Sequence, residues 1–552
     1  MNEGATPTVA VLGGGIGGLS AAQELGERGF DVAVYEANDR FGGKARSVPA
    51  AFDDGPTLPG EHGFRFFPGF YWHVTDTMAR IPDGDGSVAD NLVPTSETLI
   101  GSVTDDEVVS STRTPRTPDE WVGQLKPGIA GDGVSGAEAG FFLERLLVVA
   151  TSCRERVEEE FEAVTWWEFI DADDFSEGYR RNLGRSTQLL VALDPKRASA
   201  RTVSKIYIQL LRGALDPSLD AERILSGPTS EAWIDPWTDY LDSLGVALHP
   251  GHRLTHIACD GRRVTGATVE TDGEEREIEA DYYVAALPVE VMANLVTDDL
   301  VRAAPSLAGI EQLDTAWMNG IQFFLREDVP LAHGHQIYPD SPWALTSISQ
   351  QQFWDDYDLR ERTDGAVGGV LSVIVSDWNT PGMVHDKPAT ECSPEEVREE
   401  VWAQLTAHLD REREGLTEEN VYDWALDPAL SPTDGGMANE EPLLVNTVGS
   451  LHHRPEADTE IENLTLAADY VHTNTDLACM EGANEAARRA TNAIVARSGM
   501  RADPCEVHDL TEPRVFEPLK RQDEVRYRFG LPHPGEARKN ASRLMRRLRP
   551  RV

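Results

Sequence analysis

The first 36 residues combine two short apolar runs with one helical repeat. Residues 9–12 (VAVL) form an apolar run of the length of a buried parallel strand. In residues 19–28 the apolar side chains recur at helical spacing, and residues 32–35 (VAVY) form a second apolar run. This order predicts a strand, a helix and a strand, which is the opening unit of a doubly wound α/β fold.

Glycines occupy the turn between the first predicted strand and the helix. Gly13, Gly15 and Gly18 have the G-x-G-x-x-G spacing, which permits a tight turn, close approach to a pyrophosphate and close packing of helix on strand. Glu36 follows Gly18 by 18 residues, where a carboxylate accepts hydrogen bonds from an adenosine ribose and repels a 2′-phosphate. The unit predicts a dinucleotide site that is not an NADP site. The alternative is a glycine-rich turn without a ligand.

Later segments predict a mixture of helices and strands. Helical spacing is found in residues 141–169, 203–211 and 393–409, and the last begins with Ser-Pro-Glu-Glu, a typical helix start. Residues 246–270 alternate between apolar and polar positions around an Asp-Gly pair, which predicts a β-hairpin. Residues 129–140 are predicted to form a surface loop. Further strands are predicted over residues 280–288, 321–325, 344–349 and 369–375.

Composition adds a strong acidic bias. The chain has 552 residues, of which 40% are hydrophobic, enough for a large core and roughly two to four domains. The formal net charge is −44, from 94 acidic and 50 basic residues, and only seven of the basic residues are Lys. Arg in place of Lys and excess acid indicate a halophilic protein, because a Debye length of about 3 Å in very salty cytoplasm screens self-repulsion. The alternative is an ordinary acidic protein. The charge argues against binding to nucleic acid.

The cysteines and the first residues point to a cytoplasmic protein. The five Cys are scattered with no CxxC pair, so we expect free thiols and no metal site. The start, MNEGATPT, lacks the basic region of a signal peptide. No window reaches about 18 uninterrupted apolar residues, so we expect no transmembrane helix.

A second glycine pair follows the predicted ribose-binding acid. Residues 41–46 (FGGKAR) are not a feature of nicotinamide dehydrogenases. They resemble the continuation found in FAD enzymes of the amine oxidase and phytoene desaturase superfamily, in which this loop runs along the pyrophosphate toward the flavin. The resemblance implies FAD as the cofactor. The residues expected to bind its adenosine and pyrophosphate end are Gly13, Gly15, Ile16, Gly17, Gly18, Glu36, Ala37, Arg40, Gly42, Gly43 and Lys44, with Leu254 beside the adenine.

Residues 60–71 (GEHGFRFFPGFY) narrow the resemblance. They resemble the E-T-G-x-H-x-F-F-G-x-Y segment of plant-type phytoene and zeta-carotene desaturases, a loop that lies beside the isoalloxazine in that family. Arg65 stands where those enzymes have His, and Pro68 replaces the second Phe. The resemblance implies that Arg65 and Phe66 face the flavin and that Tyr71 helps to bind it. Arg65 is the candidate catalytic residue, because a cation stabilises negative charge that develops on the ring. The alternative is an aromatic packing loop.

Residues 462–496 complete the resemblance. They are similar to the desaturase pattern N-L-x-L-A-G-D-Y-T-x-x-x-Y-x-A-S-M-E-G-A-x-x-S-G. This likeness implies that Asp469 contacts the ribityl–phosphate region, that Met480 begins a helix whose N–H groups point at the flavin, and that Ala478 touches substrate. The cofactor site is extended by Glu481, Gly482 and Ala483. Ala468 in place of a Gly, a segment between Asp469 and Met480 that is one residue longer, and the missing Ser-Gly leave the substrate open.

The resemblance also implies a domain organisation. It predicts an α/β protein, α+β overall, in which a discontinuous Rossmann-like FAD-binding domain carries an inserted mixed α+β substrate domain. The FAD-binding domain is predicted over residues 1–100, 227–300 and 440–500, and the substrate domain over residues 101–226 and 301–439. Trp166 and Trp167 either line a hydrophobic tunnel or pack in the core.

The expected activity is FAD-dependent dehydrogenation of an isoprenoid or carotenoid-type lipid. Hydride transfer to the flavin in a dry apolar tunnel desaturates the substrate, and a quinone or oxygen takes the electrons. Two alternatives stay within the superfamily. One is a flavin amine oxidase, which typically uses an aromatic cage and a lysine-held water at the flavin, and the other is an FAD-dependent hydroxysqualene dehydroxylase-like enzyme. A non-catalytic, FAD-stabilised carrier on membranes is the alternative from another class.

The last 39 residues reverse the charge of the chain. Residues 514–552 hold 12 basic and 4 acidic residues, whereas residues 1–513 hold 38 basic and 90 acidic residues. Residues 537–549 place apolar side chains on one helical face among arginines, which predicts a basic amphipathic helix that lies on anionic membranes. The expected location is therefore the cytoplasm, with peripheral attachment to the inner face of the membrane. The alternative is a tail docked on the protein's own acidic surface.

Overall fold

The structure is a computed structural model that describes residues 6–50, 52, 57–103, 107–112, 133–216, 218–409 and 415–536. The strands in these residues are β1 (Thr8–Leu12), β2 (Asp31–Tyr35), β3 (Ser47–Ala50), β4 (Leu58–Glu61), β5 (Phe67–Pro68), β6 (Pro82–Asp83), β7 (Gly86–Ser87), β8 (Leu92–Pro94), β9 (Glu97–Ile100), β10 (Val108–Ser111), β11 (Glu222–Leu225), β12 (Ala247–His249), β13 (Arg253–Cys259), β14 (Val264–Thr271), β15 (Glu274–Ile278), β16 (Tyr282–Ala285), β17 (Asp314–Ala316), β18 (Asn319–Leu325), β19 (Gln336–Ile337), β20 (Thr346–Ser349), β21 (Gly369–Val375), β22 (Val421–Leu426), β23 (Leu430–Thr433), β24 (Gly436–Asn439), β25 (Leu443–Val445) and β26 (Leu464–Leu466). The α-helices of seven or more residues in the same ranges are α1 (Ile16–Glu27), α2 (His73–Ala79), α3 (Gly136–Ala150), α4 (Ala200–Leu215), α5 (Asp235–Ser243), α6 (Val289–Leu295), α7 (Pro394–His408), α8 (Met480–Ser498) and α9 (Glu517–Arg528).

A parallel sheet of five strands forms the nucleotide-binding layer. Its order is β12-β2-β1-β16-β26, so the strands come from both ends and the middle of the chain. The central strand β1 is buried from Val9 to Leu12, because α1 and other elements cover its faces. Helix α8 packs against α1, so the first and last blocks of the predicted FAD-binding domain meet over this sheet. The predicted strand–helix–strand unit corresponds to β1, α1 and β2.

The predicted hairpin is part of a small antiparallel sheet. Strands β13, β14 and β15 pair in that order, and the β13–β14 turn contains Gly261 with φ of +94°. A positive φ of this kind favours glycine, which agrees with the Asp-Gly turn expected from the sequence. The hairpin leads into β16, which returns the chain to the parallel sheet beside β1.

The second large sheet has seven strands in the order β10-β9-β19-β20-β21-β18-β22. Its central strands β18 and β21 are buried at every residue, because α7 and the nearby loops cover them. The strands predicted over residues 321–325, 344–349 and 369–375 correspond to β18, β20 and β21. Strand β9 pairs in this sheet, so the predicted boundary at residue 100 placed it on the wrong side. The remaining division into domains stays a prediction.

A helical region lies between β10 and β11 in the chain. Helix α3 begins at Gly136, where the Ser135 and Glu138 side chains form a capping box. The loop predicted over residues 129–140 is therefore wrong from residue 136 onward, and residues 129–132 lie outside the described part. The single helical repeat predicted over residues 141–169 is broken after Ala150, because the Cys153 N–H donates to Asp523 of the C-terminal tail. Trp166 is fully buried, and Trp167 is half-buried at the edge of the same cluster.

The first part of the tail docks on this helical region through two of its acids. Asp523 of α9 pairs with Arg156 at 2.9 Å, and both side chains are at most 1% exposed. Glu536 pairs with the buried Arg145. The docking alternative predicted basic tail residues on an acidic surface, so the polarity of the contact is reversed. The predicted amphipathic helix over residues 537–549 lies outside the described residues.

Candidate functional site

The turn between β1 and α1 is formed by main-chain contacts that exclude side chains. The Gly13 N–H donates to the Tyr35 carbonyl at 2.8 Å, and Gly13 has φ of +110°. A Cβ added to Gly18 would lie 1.9 Å from the Gly13 carbonyl oxygen. A Cβ added to Gly17 would lie 1.9 Å from the Ala467 carbonyl oxygen, where the loop after β26 crosses the helix. Glycine is therefore required here by packing as well as by backbone angle.

The N-terminus of α1 is open to an anion. Its N-cap residue Gly15 makes no side-chain cap, and the first turn contains no acidic residue. Ile16 begins the helix and is buried beneath it. The N–H groups of the first turn have no intrahelical partners, and the helix dipole favours negative charge there. This donor set fits the pyrophosphate of a dinucleotide.

The second glycine pair closes over this helix end. The Gly42 N–H donates to the Gly14 carbonyl at 2.8 Å, and Gly15 and Gly42 form an isolated parallel bridge. A Cβ on Gly43 would lie 2.9 Å from the Gly15 Cα, so the two backbones pass at a distance that only glycines allow. The predicted loop along the pyrophosphate thus lies against the turn that would hold it.

Glu36 has a fixed and buried carboxylate. Its Oε2 accepts the Gly14 N–H at 2.7 Å, and its Oε1 accepts the main-chain and side-chain N–H groups of Asn38 at 2.9 and 2.8 Å. A carboxylate has about four acceptor positions, so Oε2 retains a lone pair for a ribose hydroxyl. Asn38, which orients the carboxylate, was not predicted. The His252 N–H donates to the Glu36 carbonyl at 2.7 Å and fixes the adjoining loop.

The other residues predicted at the adenosine end differ in accessibility. Ala37 is half-buried beside Glu36, and Arg40 is exposed on the same loop. Arg40 faces the N-terminus of α5, where burial raises the pKa of Asp235 and the Arg40 charge opposes that shift. Leu254 is buried in β13, next to a bulge between Leu254 and His256 that interrupts the strand pairing. That interruption leaves main-chain groups beside Leu254 outside the regular ladder.

Lys44 and Arg65 tie the two predicted flavin loops together. The Lys44 ammonium binds Glu290 Oε1 at 3.0 Å and the Pro442 carbonyl. The Arg65 guanidinium donates to the Lys44 carbonyl at 2.8 Å, so it holds the loop after the second glycine pair. Burial lowers the pKa of Arg65, and the nearby Glu61 carboxylate opposes the shift. Arg65 is therefore placed as a cation between the two loops.

The aromatic residues of this loop divide into exposed and buried members. Phe66 is half-buried and packs edge-on against His335, with ring centroids 5.2 Å apart. Tyr71 is only 5% exposed and lies in the core edge-on to Phe70. Its hydroxyl bonds the Cys479 thiol at the start of α8, and burial raises its pKa well above the usual value. Tyr71 thus supports the start of α8, and its flavin contact stays a prediction.

The N-terminus of α8 approaches that of α1. The helix begins at Met480, as predicted, and the Gly482 N–H donates to the Cys479 sulfur at 3.5 Å. Gly482 is held tightly, since a Cβ there would lie 2.7 Å from the Leu477 carbonyl oxygen. Ala483 is buried, with its carbonyl oxygen near Gly17, and Ala478 and Met480 are half-buried. Weak capping by a thiol leaves the first N–H groups of α8 available to an acceptor.

The Glu481 side chain has a structural role. Its carboxylate is 1% exposed and accepts the N–H groups of Trp72, His73 and Val74 at 2.8, 2.8 and 2.9 Å. Its Oε1 also lies 2.7 Å from His73 Nδ1. These bonds cap the N-terminus of α2 from a residue more than 400 positions away. The Glu481 carboxylate therefore caps α2, and the predicted contact of Glu481 with the cofactor stays a prediction.

Asp469 lies at the end of the loop that follows β26. Burial raises the pKa of its carboxyl group, and the charges of Lys44 and Arg454 oppose that shift. Arg454 donates to the carbonyls of Asp469 and Val471 at 2.6 and 2.8 Å and also pairs with Asp476. Asp476 is fully buried and pairs with Arg201 of α4 as well. The position of Asp469 is thus set by buried arginines that were not predicted.

Comparison with protein families decides the family of this chain. Residues 16–495 match the model of the flavin containing amine oxidoreductases. The chain belongs to this family. It is therefore a flavin-dependent oxidoreductase, and FAD is its cofactor, as the sequence predicted.

Individual relatives of this amine oxidoreductase family member cover most of its length. It is 24% identical over 520 residues to the carotenoid phi-ring synthase of Streptomyces griseus, a match that spans 90% of this chain and 89% of the relative. It is 24% identical over 523 residues to the zeta-carotene desaturase of Synechocystis sp., spanning 88% and 97%. The solved structure of cyclohexylamine oxidase from Brevibacterium oxydans superposes with a TM-score of 0.59 at 14% identity, covering 90% of this chain and 100% of that chain. The predicted fold class, a mixed helix and strand protein with a Rossmann-like FAD-binding domain, is confirmed.

The family member carries a cradle that fits FAD at both ends. The open start of α1 and the glycine contacts suit the pyrophosphate, and the carboxylate of Glu36 suits the ribose. The start of α8 follows the loop of Asp469 and contacts Tyr71 of the predicted flavin loop through Cys479. The residues missed by the sequence, such as Asn38 and Arg454, are polar side chains that hold these elements without a local motif of their own.

Proposed function

We propose that the protein dehydrogenates an isoprenoid polyene of the carotenoid type. When bound, FAD supplies the hydride acceptor. The chain's own residues hold the predicted flavin loop, residues 60–71, in place, exclude water and present an apolar wall to the substrate. The observation that carries the proposal is the match to a carotenoid synthase and a carotenoid desaturase over about nine tenths of the chain.

The wall behind the predicted flavin loop supports an apolar substrate. Gly63 lies so close to the seven-stranded sheet that an added Cβ would meet Ile374 Cδ1 at 3.1 Å. Phe64 and Ile374 belong to one apolar cluster with Phe324 of β18. Met318 is half-buried against the same cluster.

The described residues give less support to an amine oxidase. Lys44, the lysine of the second glycine pair, uses two of its three N–H donors on Glu290 and the Pro442 carbonyl, which ties it to the protein. The two residues before α8 are Ala478 and Cys479, which supply no aromatic wall. A hydroxysqualene dehydroxylase-like activity stays open, because its substrate would be held by the same apolar surface.

Anaerobic reduction of the bound flavin tests the proposal. The FAD-loaded protein is mixed with phytoene or zeta-carotene in detergent micelles, with hydroxysqualene, or with simple amines, and the flavin absorbance is followed. We expect one of the carotenoid polyenes to bleach the flavin. Bleaching by amines alone, or by hydroxysqualene alone, would replace the proposal by the corresponding alternative. Reoxidation of the bleached enzyme by a quinone or by oxygen then identifies the electron acceptor.

We also propose that the C-terminal tail attaches the protein to the inner face of the cytoplasmic membrane. The acidic side of α9 faces the protein, whereas its outer side exposes Val525 and Phe529, the latter 77% exposed. Arg526 and Arg528 lie beside these residues, which gives the apolar and basic combination that binds anionic lipid. Among the described residues, no helix is long and apolar enough to span a bilayer.

Sedimentation with vesicles tests this attachment. We expect binding to vesicles of phosphatidylglycerol and weaker binding to phosphatidylcholine, with a loss on deletion of residues 537–552 and a partial loss in a V525S/F529S variant. The variant keeps the Asp523 contact, so the tail stays docked. Equal recovery of all three proteins with anionic vesicles would reject the attachment.

A further inference from the structure

The predicted flavin loop carries a histidine that has so far had no role. His62 Nδ1 lies 2.5 Å from Oδ2 of Asp427. The Asp427 side chain is 1% exposed, whereas the His62 side chain is 14% exposed. The two residues are 365 positions apart in the sequence, and their contact joins the predicted flavin loop to the seven-stranded sheet.

Asp427 is fixed by the sheet. It follows β22, and its main-chain N–H donates to the Gly320 carbonyl of β18 at 2.9 Å. Its Oδ2 accepts the Asn319 side-chain N–H at 2.6 Å, and its Oδ1 accepts the Ala429 N–H at 3.0 Å. The Asn319 amide is fixed in turn by the Asn439 side chain at 2.9 Å. A carboxylate held in this way can orient an imidazole.

The predicted flavin loop packs against strand β18 of the same sheet. A Cβ added to Gly320 would lie 2.7 Å from the His62 carbonyl oxygen, so the loop cannot shift without a clash. Arg65, three residues on, holds the carbonyls after the second glycine pair. His62 therefore sits between the substrate sheet and the loops that would enclose the flavin.

The second ring nitrogen of His62 is available for chemistry. Among the described residues, Nδ1 is buried and its close approach to Asp427 is an ion-pair contact without hydrogen-bond geometry, whereas Nε2 is not one of the buried atoms that lack a partner. The other members of residues 61–67 offer no comparable base. The Glu61 carboxylate is consumed by Thr229 and Ser47, at 2.7 to 3.0 Å, and Arg65 is a cation. The remaining residues are Gly63 and three Phe.

We propose that His62, oriented by Asp427, is the catalytic base of the dehydrogenation. The inference rests on the proposed function. FAD, when bound, would supply the acceptor for the hydride of one C–H bond, and the proton of the adjacent carbon would pass to His62 Nε2. The electron pair of the second C–H bond becomes the new C=C bond. Asp427 stabilises the imidazolium that results, as a positioning residue.

The charges around the pair are mixed. Glu61 and Arg65 lie on the same loop, Asp427 lies on the sheet side, and Arg46 with Glu441 completes the set that acts on Arg65. The Asp427 carboxylate is the one in contact with His62.

Two substitutions separate catalysis from interface packing. The Asn amide of His62→Asn overlays Nδ1 and keeps the contact with Asp427, but it cannot take up a proton. Asp427→Asn removes the counter-charge. His385→Asn, at an imidazole 3.2 Å from Glu399 on a different surface, is the matched control. FAD content and melting temperature are measured first for all variants, so that an unfolded variant is recognised.

The first readout is flavin reduction by a carotenoid polyene as a function of pH. We expect His62→Asn to slow reduction by at least 100-fold with FAD content unchanged, which is the usual size of a general-base effect. In wild type, the rate of flavin reduction should decrease toward acidic pH with a slope that corresponds to one proton. This decrease should be absent in His62→Asn. In Asp427→Asn it should occur at lower pH. A His62→Asn rate within threefold of wild type would overturn the proposal.

The second readout does not depend on turnover. The FAD-loaded protein is treated with diethyl pyrocarbonate, and each histidine-containing peptide is quantified by mass spectrometry. We expect His62 to be carbethoxylated, and phytoene micelles to slow its labelling while His385 labelling is unchanged. If no polyene bleaches wild type, the proposed function fails, and this readout still judges the base. An unlabelled His62, or labelling that the polyene leaves unchanged, would overturn it.

Discussion

The two ends of the cofactor cradle are built by different means. At the pyrophosphate end, backbone meets backbone at Gly13, Gly17 and Gly18, and the packing at these three residues leaves no room for a side chain. At the flavin end, buried carboxylates and arginines hold the elements together, as Glu481 does for α2 and Asp476 does for the loop after β26. One end depends on the absence of side chains and the other on their charge.

This difference sets how each end responds to change. A glycine contact is lost through steric overlap, which acts on folding and cofactor binding and does not depend on pH. A buried charge pair is lost when one partner is removed or protonated, which leaves the other charge without compensation. Substitutions at the two ends should therefore differ in size and in dependence on pH and salt.

The largest effect is expected from Asp476→Asn at the flavin end. The change leaves Arg201 and Arg454 buried without their common carboxylate, so the free energy of unfolding should fall by about 3–5 kcal/mol. Urea unfolding followed by tryptophan fluorescence measures it. Glu177→Gln, at an exposed pair with Arg180, should change the value by less than about 0.5 kcal/mol. Equal small losses in both variants would contradict the account of the flavin end.

The same substitution should alter acid unfolding. Burial alone would raise the pKa of Asp476, but Arg201 and Arg454 reverse this and hold it below the usual value of 3.8. A lowered folded-state pKa stabilises the fold above the unfolded-state pKa, and the contribution is lost as pH falls through the folded-state pKa. Below about pH 4 the difference in stability between wild type and Asp476→Asn should shrink. A difference that is constant from pH 7 to pH 3 would show that charge is not the cause.

The second prediction concerns Gly17→Ala at the pyrophosphate end. The new methyl group would overlap the Ala467 carbonyl, and overpacking of this kind costs about 1–3 kcal/mol. Gly15→Ala is the matched variant, because its Cβ would meet nothing closer than 3.7 Å and its φ is −76°. It should fold normally and lose FAD affinity, since the methyl group occupies the approach of the pyrophosphate. Thermal unfolding and FAD titration separate the two, and reversed results would break the comparison.

A smaller effect is expected from Glu36→Gln. The Glu36 carboxylate accepts three N–H groups, whereas an amide has only one oxygen. The NH₂ group of the new amide would therefore face an N–H donor of Gly14 or Asn38, and the oxygen that accepts the ribose hydroxyl would be displaced. FAD affinity should fall by about tenfold, or ~1.4 kcal/mol. Fluorescence titration of the apoprotein with FAD measures this. The exposed neighbour Asp39→Asn should bind as wild type does, and a similar loss there would remove the specific role of Glu36.

The smallest effect is expected from a change in salt concentration, measured on the melting temperatures of wild type and Asp476→Asn. The net charge of −44 should make the melting temperature rise by several degrees between 0.2 and 2 M KCl, because screening relieves repulsion at the surface. The deficit of Asp476→Asn should be the same at both salt concentrations, since buried pairs are poorly screened. A melting temperature that is independent of KCl would argue against the halophilic interpretation.

The sequence revealed the pyrophosphate end because its signals are local. The apolar runs, the glycines and Glu36 lie within 36 residues, and their spacing follows from the geometry of one strand–helix–strand unit. The flavin end required a family likeness, which predicted the start of α8 but not the cap that Glu481 makes on α2. Its bonds to α2 cross more than 400 residues, and no periodicity encodes such a partner.

Short elements and buried polar pairs escaped prediction for a related reason. Strand β9 has four residues, too few for an alternation to stand out, and its pairing with β19 joins distant segments. Arg201 and Asp476 are 275 positions apart and look like ordinary surface residues in an acidic chain. Burial turned them into a structural centre, and burial is a property of the assembled fold.

The anchoring of the tail has a consequence for local concentration. Glu536 is held at Arg145, so the 16 residues that follow it in sequence start from a fixed point on the protein. A chain of that length spans at most about 55 Å. Any surface within this radius meets the basic residues at an effective concentration in the millimolar range, whatever the concentration of the protein. A contact too weak to form between separate molecules becomes an intramolecular equilibrium at this position.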